Sequence, residues 1–98
     1  MANSKITSLD KLFNYSYITL TSTDNLNDLP RSITRLYYLQ DGTNRPINCP
    51  PDAQYAHLIT LYYYQIIIDN VSPAFYLRRY TNNTWSTWSK FDGTKLNV

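Results

Sequence analysis

Apolar and polar positions alternate along much of the chain with the two-residue period of β-strands. Over residues 15–21 the alternation puts Ile18 and Leu20 on one side and tyrosines and threonines on the other. A turn-rich stretch ending at a proline follows, and the extended pattern returns over residues 33–39. We therefore predict a first strand at residues 15–21 and a second at residues 33–39.

The run of residues 57–68 is apolar or aromatic on both of its alternating faces. Such a run predicts one strand that is covered on both sides. A domain of this size rarely supplies two covers for one strand, so we expect a neighbouring subunit to form the second wall. A homo-oligomer is predicted on this basis, with Tyr62, Tyr63 and Tyr64 as candidates for the subunit contact.

A β-hairpin is predicted near the C-terminus, with strands at residues 74–80 and 84–91. Asn82 and Asn83 join them, and asparagine tolerates the left-handed backbone that both central positions of a type I′ turn require.

Trp85 and Trp88 lie three residues apart in the second arm of this hairpin, so regular alternation sends them to opposite faces. We expect Trp85, with Phe91, to face the core, and Trp88 to face outward on the side of Lys90. An outward indole either packs against another subunit or forms an apolar platform for a sugar, and both alternatives stay open.

The rest of the chain carries weaker patterns. Leu9, Leu12 and Phe13 have the spacing of a short helical turn. An Asp-Gly pair and three prolines predict a loop over residues 41–54.

Composition agrees with an all-β domain. The 98 residues fit one module, all seven acidic residues are Asp, and the chain is rich in Tyr, Ile, Thr and Asn rather than in helix formers. A formal charge of +2 does not favour nucleic acid as a partner. The sequence has neither the apolar core of a secretory signal nor a run long enough to span a membrane, so we expect a soluble protein with no membrane insertion.

Candidate catalytic residues are few. One cysteine, Cys49, and one histidine, His57, cannot form a Cys/His metal cluster, and Cys49 lacks the turn or helix N-terminus that would activate a nucleophile. The aspartates sit mostly at turns, and neither Gly belongs to a phosphate-binding loop. We expect no enzyme activity, no metal and no cofactor.

Arg78 and Arg79 form the densest positive charge, and alternation sends them to opposite faces. We expect them to be solvated charges that guard an exposed sheet edge, with contact to an anionic sugar as the alternative.

Four segments together resemble a known family. They are residues 24–28, the Asn-Cys-Pro at residues 48–50, the apolar run at residues 58–68 and, most specifically, the Tyr-Leu-Arg-Arg-Tyr-Thr-Asn-Asn-Thr-Trp-Ser-Thr-Trp-Ser-Lys-Phe of residues 76–91. They resemble the knob domain of R-type pyocin fibres and of phage tail and head fibres. The resemblance implies a small antiparallel β-sheet or sandwich, assembled as a homotrimer, in a virion made in the host bacterial cytoplasm.

The resemblance also defines an expected organisation, with an N-terminal attachment segment at residues 1–23 that contacts other virion proteins and a fibre knob at residues 24–98. Two functions are open: a knob that binds a host-surface glycan, and a structural decoration or adaptor protein that binds no receptor. The candidate receptor or interface residues are Trp88, Trp85, Tyr80, Arg78, Arg79, Tyr62, Tyr63 and Tyr64.

Overall fold

Seven β-strands make up the regular structure of the protein in a computed structural model that describes residues 18–97. The strands are β1 (Ile18–Leu20), β2 (Arg35–Leu39), β3 (Ala56–Thr60), β4 (Tyr64–Ile68), β5 (Ala74–Thr81), β6 (Thr84–Trp85) and β7 (Ser89–Asp92). Two single 3₁₀ turns, Leu26–Asp28 and Gly42–Asn44, lie between them, and the described residues contain no α-helix. None of the described residues forms a helix long and apolar enough to cross a membrane.

The strands form a single mixed sheet in the order β1-β2-β3-β4-β5, with β6 and β7 both paired to the outer side of β5. The all-β prediction is confirmed, but the expectation of a purely antiparallel sheet is wrong because β1 runs parallel to β2. The cause is the connection of residues 21–34, which crosses over one face of the sheet and returns in the starting direction.

The core lies on the face that this connection covers. Alternate residues of the central strands point into it, including Tyr37, Leu58, Ile67 and Tyr76, and Leu26 from the crossing connection packs on them. The loop of residues 41–54, which holds a 3₁₀ turn and no strand as predicted, covers the rest. Loops therefore take the place of a second layer.

The single strand predicted over residues 57–68 is instead the β3–β4 hairpin. The chain reverses at Leu61–Tyr63, where the backbone amide of Leu61 donates to the carbonyl of Tyr64 at 2.8 Å, and His57 pairs with Ile68. The turn contains no glycine, proline or asparagine, so no residue type in the sequence marks it. The prediction of a subunit contact from one two-faced strand thus loses its original basis.

The closing hairpin is confirmed at its turn. Asn82 and Asn83 have φ values of 52° and 62°, the left-handed backbone of a type I′ turn. The first arm is the continuous strand β5, but the second arm is broken into β6 and β7.

The break is a β-bulge. Tyr80 pairs with Trp85 and Leu77 pairs with Ser89, so three residues, 86–88, lie opposite the two residues Arg78 and Arg79. The hydroxyl of Ser86 accepts the amide of Arg79 at 3.0 Å, in the place of a ladder bond. One extra residue in the second arm shifts the alternation by one position.

The bulge overturns the prediction that the two tryptophans lie on opposite faces. Trp85 pairs beside Tyr80, and Trp88 packs against the core, so both point to the same side of the sheet. Trp88 does share that side with Lys90, as predicted, but it is not the outward tryptophan. Phe91 is on the far face, where its ring stacks on Phe75 at 4.7 Å between centroids.

The far face, which we call the open face, is apolar over most of the sheet. By strand register it carries the side chains of Leu36, Tyr38, His57, Ile59, Tyr64, Ile66, Ile68, Phe75, Leu77, Arg79, Ser89 and Phe91. Ile68, Phe75 and Phe91 are 46%, 43% and 44% exposed. Arg79 is the one Lys, Arg or Asp residue among these side chains.

The structure also bears on the N-terminal part of the chain. The predicted helical turn at residues 9–13 lies outside the described residues, as do residues 15–17 of the first predicted strand. Because β1 precedes residue 24, the sheet already includes the end of the expected attachment segment.

Candidate functional site

A pocket of about 500 Å³ opens on the core side of the sheet, between the outer edge of β5 and the loop of residues 48–52. Strands β5 and β7, the bulge and this loop each contribute a wall. The side chains that give the pocket its character are Asn48, Tyr76, Arg78, Trp85, Trp88 and Lys90.

Arg78 is the central residue of the pocket. Its side chain leaves β5 on the core face, and the residue is only 5% exposed. The guanidinium carbon lies 4.6 Å from the ring centroid of Trp85 and 4.7 Å from that of Trp88, within the range of cation–π attraction. The contact with Trp88 depends on the bulge, because regular alternation would put Trp88 on the open face.

A buried glutamine holds the guanidinium in place. Arg78 Nε donates to Gln65 Oε1 at 2.8 Å, and Gln65 Nε2 donates to the carbonyl of Leu26 at 2.7 Å. Gln65 thereby connects β4, β5 and the crossing connection through one side chain. Burial lowers the pKa of Arg78 to about 10, so the guanidinium stays charged at neutral pH.

The Trp88 indole is fixed from the opposite wall. Its Nε1 donates to the carbonyl of Asn48 at 2.8 Å. Asn48 has a left-handed backbone with φ of 64°, which asparagine tolerates, and its amide donates to Asn25 Oδ1 at 2.8 Å. The loop therefore holds the ring in one orientation.

Lys90 and Asp52 form a salt bridge of 2.8 Å at the rim of the pocket, and Asp92 lies 3.6 Å from the same ammonium. The hydrogen bond between the pair raises the pKa of Lys90 and lowers that of Asp52. Tyr76 lies beside them, and burial is the main cause that raises the pKa of its phenol. All three groups keep their ordinary charge at neutral pH.

Three buried donors around the pocket have no well-formed hydrogen bond among the described residues. Arg78 Nη2 and Trp85 Nε1 have none at all, and the Tyr76 hydroxyl has only the neighbouring Asp52 carboxylate, outside good hydrogen-bond geometry. A buried donor without an acceptor costs about 1–3 kcal/mol, and such groups are uncommon in folded proteins. Their grouping at one pocket is typical of a binding site.

A row of aromatic and arginine side chains continues from Trp85 along the same side of the sheet. The Trp85 ring contacts Tyr80 edge-on at 5.2 Å, and the Arg31 guanidinium lies 3.7 Å from the Tyr80 centroid and 4.8 Å from that of Tyr62. We call Tyr62, Arg31, Tyr80 and Trp85 the aromatic ridge. Tyr63 extends it edge-on from Tyr62 at 4.8 Å.

The structure brings together some of the predicted site residues and separates others. Trp85, Trp88 and Arg78 meet in the pocket, and Tyr80, Tyr62 and Tyr63 lie along the ridge. Tyr64 and Arg79 are on the open face. The split between the two arginines is confirmed, but the expectation that Arg78 is a solvated edge charge is wrong, because the bulge and Trp88 cover it.

Cys49 and His57 do not form a reactive pair. Cys49 lines the pocket, and burial raises the pKa of its thiol to about 11, so little thiolate exists at neutral pH. His57 is on the open face, with its ring against Tyr38.

Several pocket and ridge residues were not among the predicted candidates. Strand alternation indicates two of them as pocket residues, because Tyr76 is two residues from Arg78 and Lys90 is two residues from Trp88. No local signal marks Arg31, Asp52 or Gln65, which reach the site through the long-range arrangement of the chain.

Comparisons of the chain with protein-family models, with curated proteins and with solved structures find no match.

Proposed function

We propose that the protein is the knob of a bacteriophage tail or head fibre and that it binds a host-surface glycan in the pocket beside Arg78. The observation that carries the proposal is the pair of half-buried indoles, Trp85 and Trp88, that flank a fixed guanidinium in an open pocket. The resemblance of residues 24–91 to fibre knobs supports the virion setting.

The pocket chemistry suits a sugar. The C–H faces of a pyranose pack on indole rings, while its hydroxyl groups need donors and acceptors placed at fixed positions. Trp85 and Trp88 offer the apolar surface, and Asn48, Asp52 and Lys90 offer polar groups around it. The aromatic ridge supplies further surface for a second or third sugar unit.

The open face supports assembly as a homotrimer. Apolar sheet surface of this kind is buried in stable proteins, and a second copy of the chain presents a matching apolar surface. Residues 1–23 would attach the knob to other virion proteins. The protein would thus act in the virion as a structural, non-enzymatic part of host attachment.

The alternative is a purely structural decoration or adaptor protein. The extent of the open face favours it, since a protein whose main task is to join subunits needs a large contact surface and no receptor pocket.

A glycan array separates the two functions. We expect the wild type to bind a restricted set of bacterial surface glycans, and Trp85→Ala and Trp88→Ala to bind the same set at least tenfold more weakly. Tyr55→Ala is the control, because Tyr55 is an exposed aromatic residue that does not line the pocket.

Circular dichroism and light scattering of each variant establish that fold and assembly are kept. A folded wild type that binds nothing across a broad array would contradict glycan binding and favour the adaptor. Equal binding by the tryptophan variants would place the glycan elsewhere.

A further inference from the structure

We infer that the pocket selects an acidic sugar, whose carboxylate pairs with the guanidinium of Arg78. This inference rests on the proposed glycan function and names the class of glycan. Its basis is a charged group that is buried without a counter-charge in the part of the chain that the structure describes.

Arginine is almost never buried without a partner, because removing its charge from water is costly. Arg78 is 5% exposed, and its one described hydrogen bond is to the neutral amide of Gln65. The depressed pKa reflects this burial, and the Cys49 thiol is the one titratable group that shifts it in the other direction. No aspartate among the described residues pairs with Arg78.

The neighbouring charges do not compensate Arg78. Asp52 is the carboxylate in the pocket wall, and it pairs with Lys90 at 2.8 Å. Asp92 also lies 3.6 Å from that ammonium, but neither carboxylate pairs with Arg78, so the guanidinium charge has no direct counter-charge among the described residues. An anionic ligand would balance it.

The orientation of the guanidinium favours a carboxylate. Gln65 accepts from Nε, and Nη2 is buried without an acceptor beside the two indole rings. Because Arg78 lines the pocket, a ligand can reach the terminal edge of the group once one of these rings shifts aside. Two terminal nitrogens match the two oxygens of a carboxylate, which a guanidinium binds in a planar, bidentate way. The indoles beside it supply the surface on which the ring of the sugar packs.

Tryptophan fluorescence offers a direct test, because the chain has two tryptophans and both line the pocket. The probes are oligogalacturonate, sialyllactose, the methyl ester of each, and glucose 6-phosphate. Esterification removes the charge and keeps the sugar. We expect the acids to bind at least tenfold more tightly than their esters.

Substitutions at the two adjacent arginines complete the design. In Arg78→Met the preference for acid over ester should disappear, whereas Arg79→Met, with its side chain on the open face, should keep it. Arg78→Lys retains a charge without the paired terminal nitrogens, and we expect an intermediate preference. If Arg78→Met does not fold, the ratio of acid affinity to ester affinity, compared between the wild type and Arg78→Lys, still tests whether Arg78 binds the carboxylate.

Each outcome has a distinct meaning. Equal affinity of the wild type for acids and esters would overturn the acidic-sugar inference and leave glycan binding intact. Preference for the sugar phosphate over every carboxylate would also overturn it. No binding of any probe, together with silence on the glycan array, would overturn both the inference and the proposed function.

Discussion

At the scale of single residues, Gln65 is the side chain that holds Arg78 in position beneath the pocket. It accepts from Arg78 and donates to the carbonyl of Leu26, and all of these groups are buried. The site therefore depends on a side chain that does not line it.

We predict that Gln65→Met will destabilise the protein by about 2–4 kcal/mol, because it leaves two buried polar groups without partners. Urea unfolding with analysis of both midpoint and slope measures the effect. Gln54→Met is the control, since Gln54 is exposed in the loop of residues 41–54, and it should change stability by less than about 0.5 kcal/mol. A Gln65→Met variant as stable as the wild type would show that the network contributes nothing.

Cys49 gives a prediction about alkaline pH. Its pKa rises from an ordinary value of 9.0 to about 11 in the fold. The stability that the protonated thiol contributes is full below pH 9, and it is lost as the pH rises toward 11, because the unfolded chain releases the proton first.

Between pH 8 and pH 11 the wild type should therefore lose more unfolding free energy than Cys49→Ala, as urea titrations at several pH values will measure. The buried tyrosines titrate in both proteins, so the difference between the two curves isolates the thiol. Parallel curves would mean that Cys49 is solvated.

At the scale of elements, the Asn82–Asn83 turn is the feature that the sequence predicted best. Both residues have positive φ, and the strands on either side pair from Thr81 with Thr84 onward. The local chemistry of asparagine is sufficient to specify this turn without help from distant residues.

We predict that Asn83→Gly will leave the melting temperature unchanged or slightly raised, because glycine adopts positive φ without strain. Asn83→Val should cost about 1–2 kcal/mol, since a β-branched residue is strained there. Thermal melts of the two variants provide the comparison. Equal melting temperatures would be inconsistent with a type I′ turn.

Two other elements could not be read from local pattern. The β3–β4 turn consists of Leu61, Tyr62 and Tyr63, residues as typical of strands as their neighbours, and the reversal is set by pairing of the two arms. The bulge at residues 86–88 depends on Arg79 bonding to the Ser86 hydroxyl. The two-residue alternation of faces fails wherever one residue is added to a strand, and that single extra residue puts Trp88 on the same face as Trp85.

At the scale of the whole molecule, the open face is the feature that bears on assembly. It carries Ile66, Phe75, Leu77 and Phe91 across neighbouring strands. The sequence predicted correctly that apolar residues occupy both sides of the region 57–68, but it assigned them to one strand instead of to two faces of a hairpin.

We predict that light scattering of the wild type at micromolar concentration will give the mass of a trimer, and that Tyr64→Asp will dissociate it. Tyr64 is on the open face opposite Arg79, and the new carboxylate would lose its hydration in a largely apolar contact, a cost that one neighbouring arginine does not offset. Tyr63→Asp is the matched control, because Tyr63 is an exposed residue of the adjacent turn. A monomeric, well-folded wild type would contradict the prediction, and so would a trimer that tolerates Tyr64→Asp.

Only some of the pocket residues can be predicted from the sequence alone. Trp85, Trp88 and Arg78 were identified from residue type and position in one hairpin. Asp52 joins them in the pocket, and Arg31 joins the adjoining aromatic ridge, only because two loops fold back across the same side of the sheet. Contacts of such long sequence separation leave no periodic trace, so only the folded arrangement reveals them.

The bulge leaves one residue of the pocket wall free to vary. Thr87 sits in the pocket wall, is exposed and belongs to none of the paired strands, so its side chain is open to mutation without cost to the sheet. Under the proposed function, a position of this kind would let variation reach the ligand while the sheet stays unchanged. We expect host-range variants of such a chain to accumulate at Thr87 before they accumulate at either tryptophan.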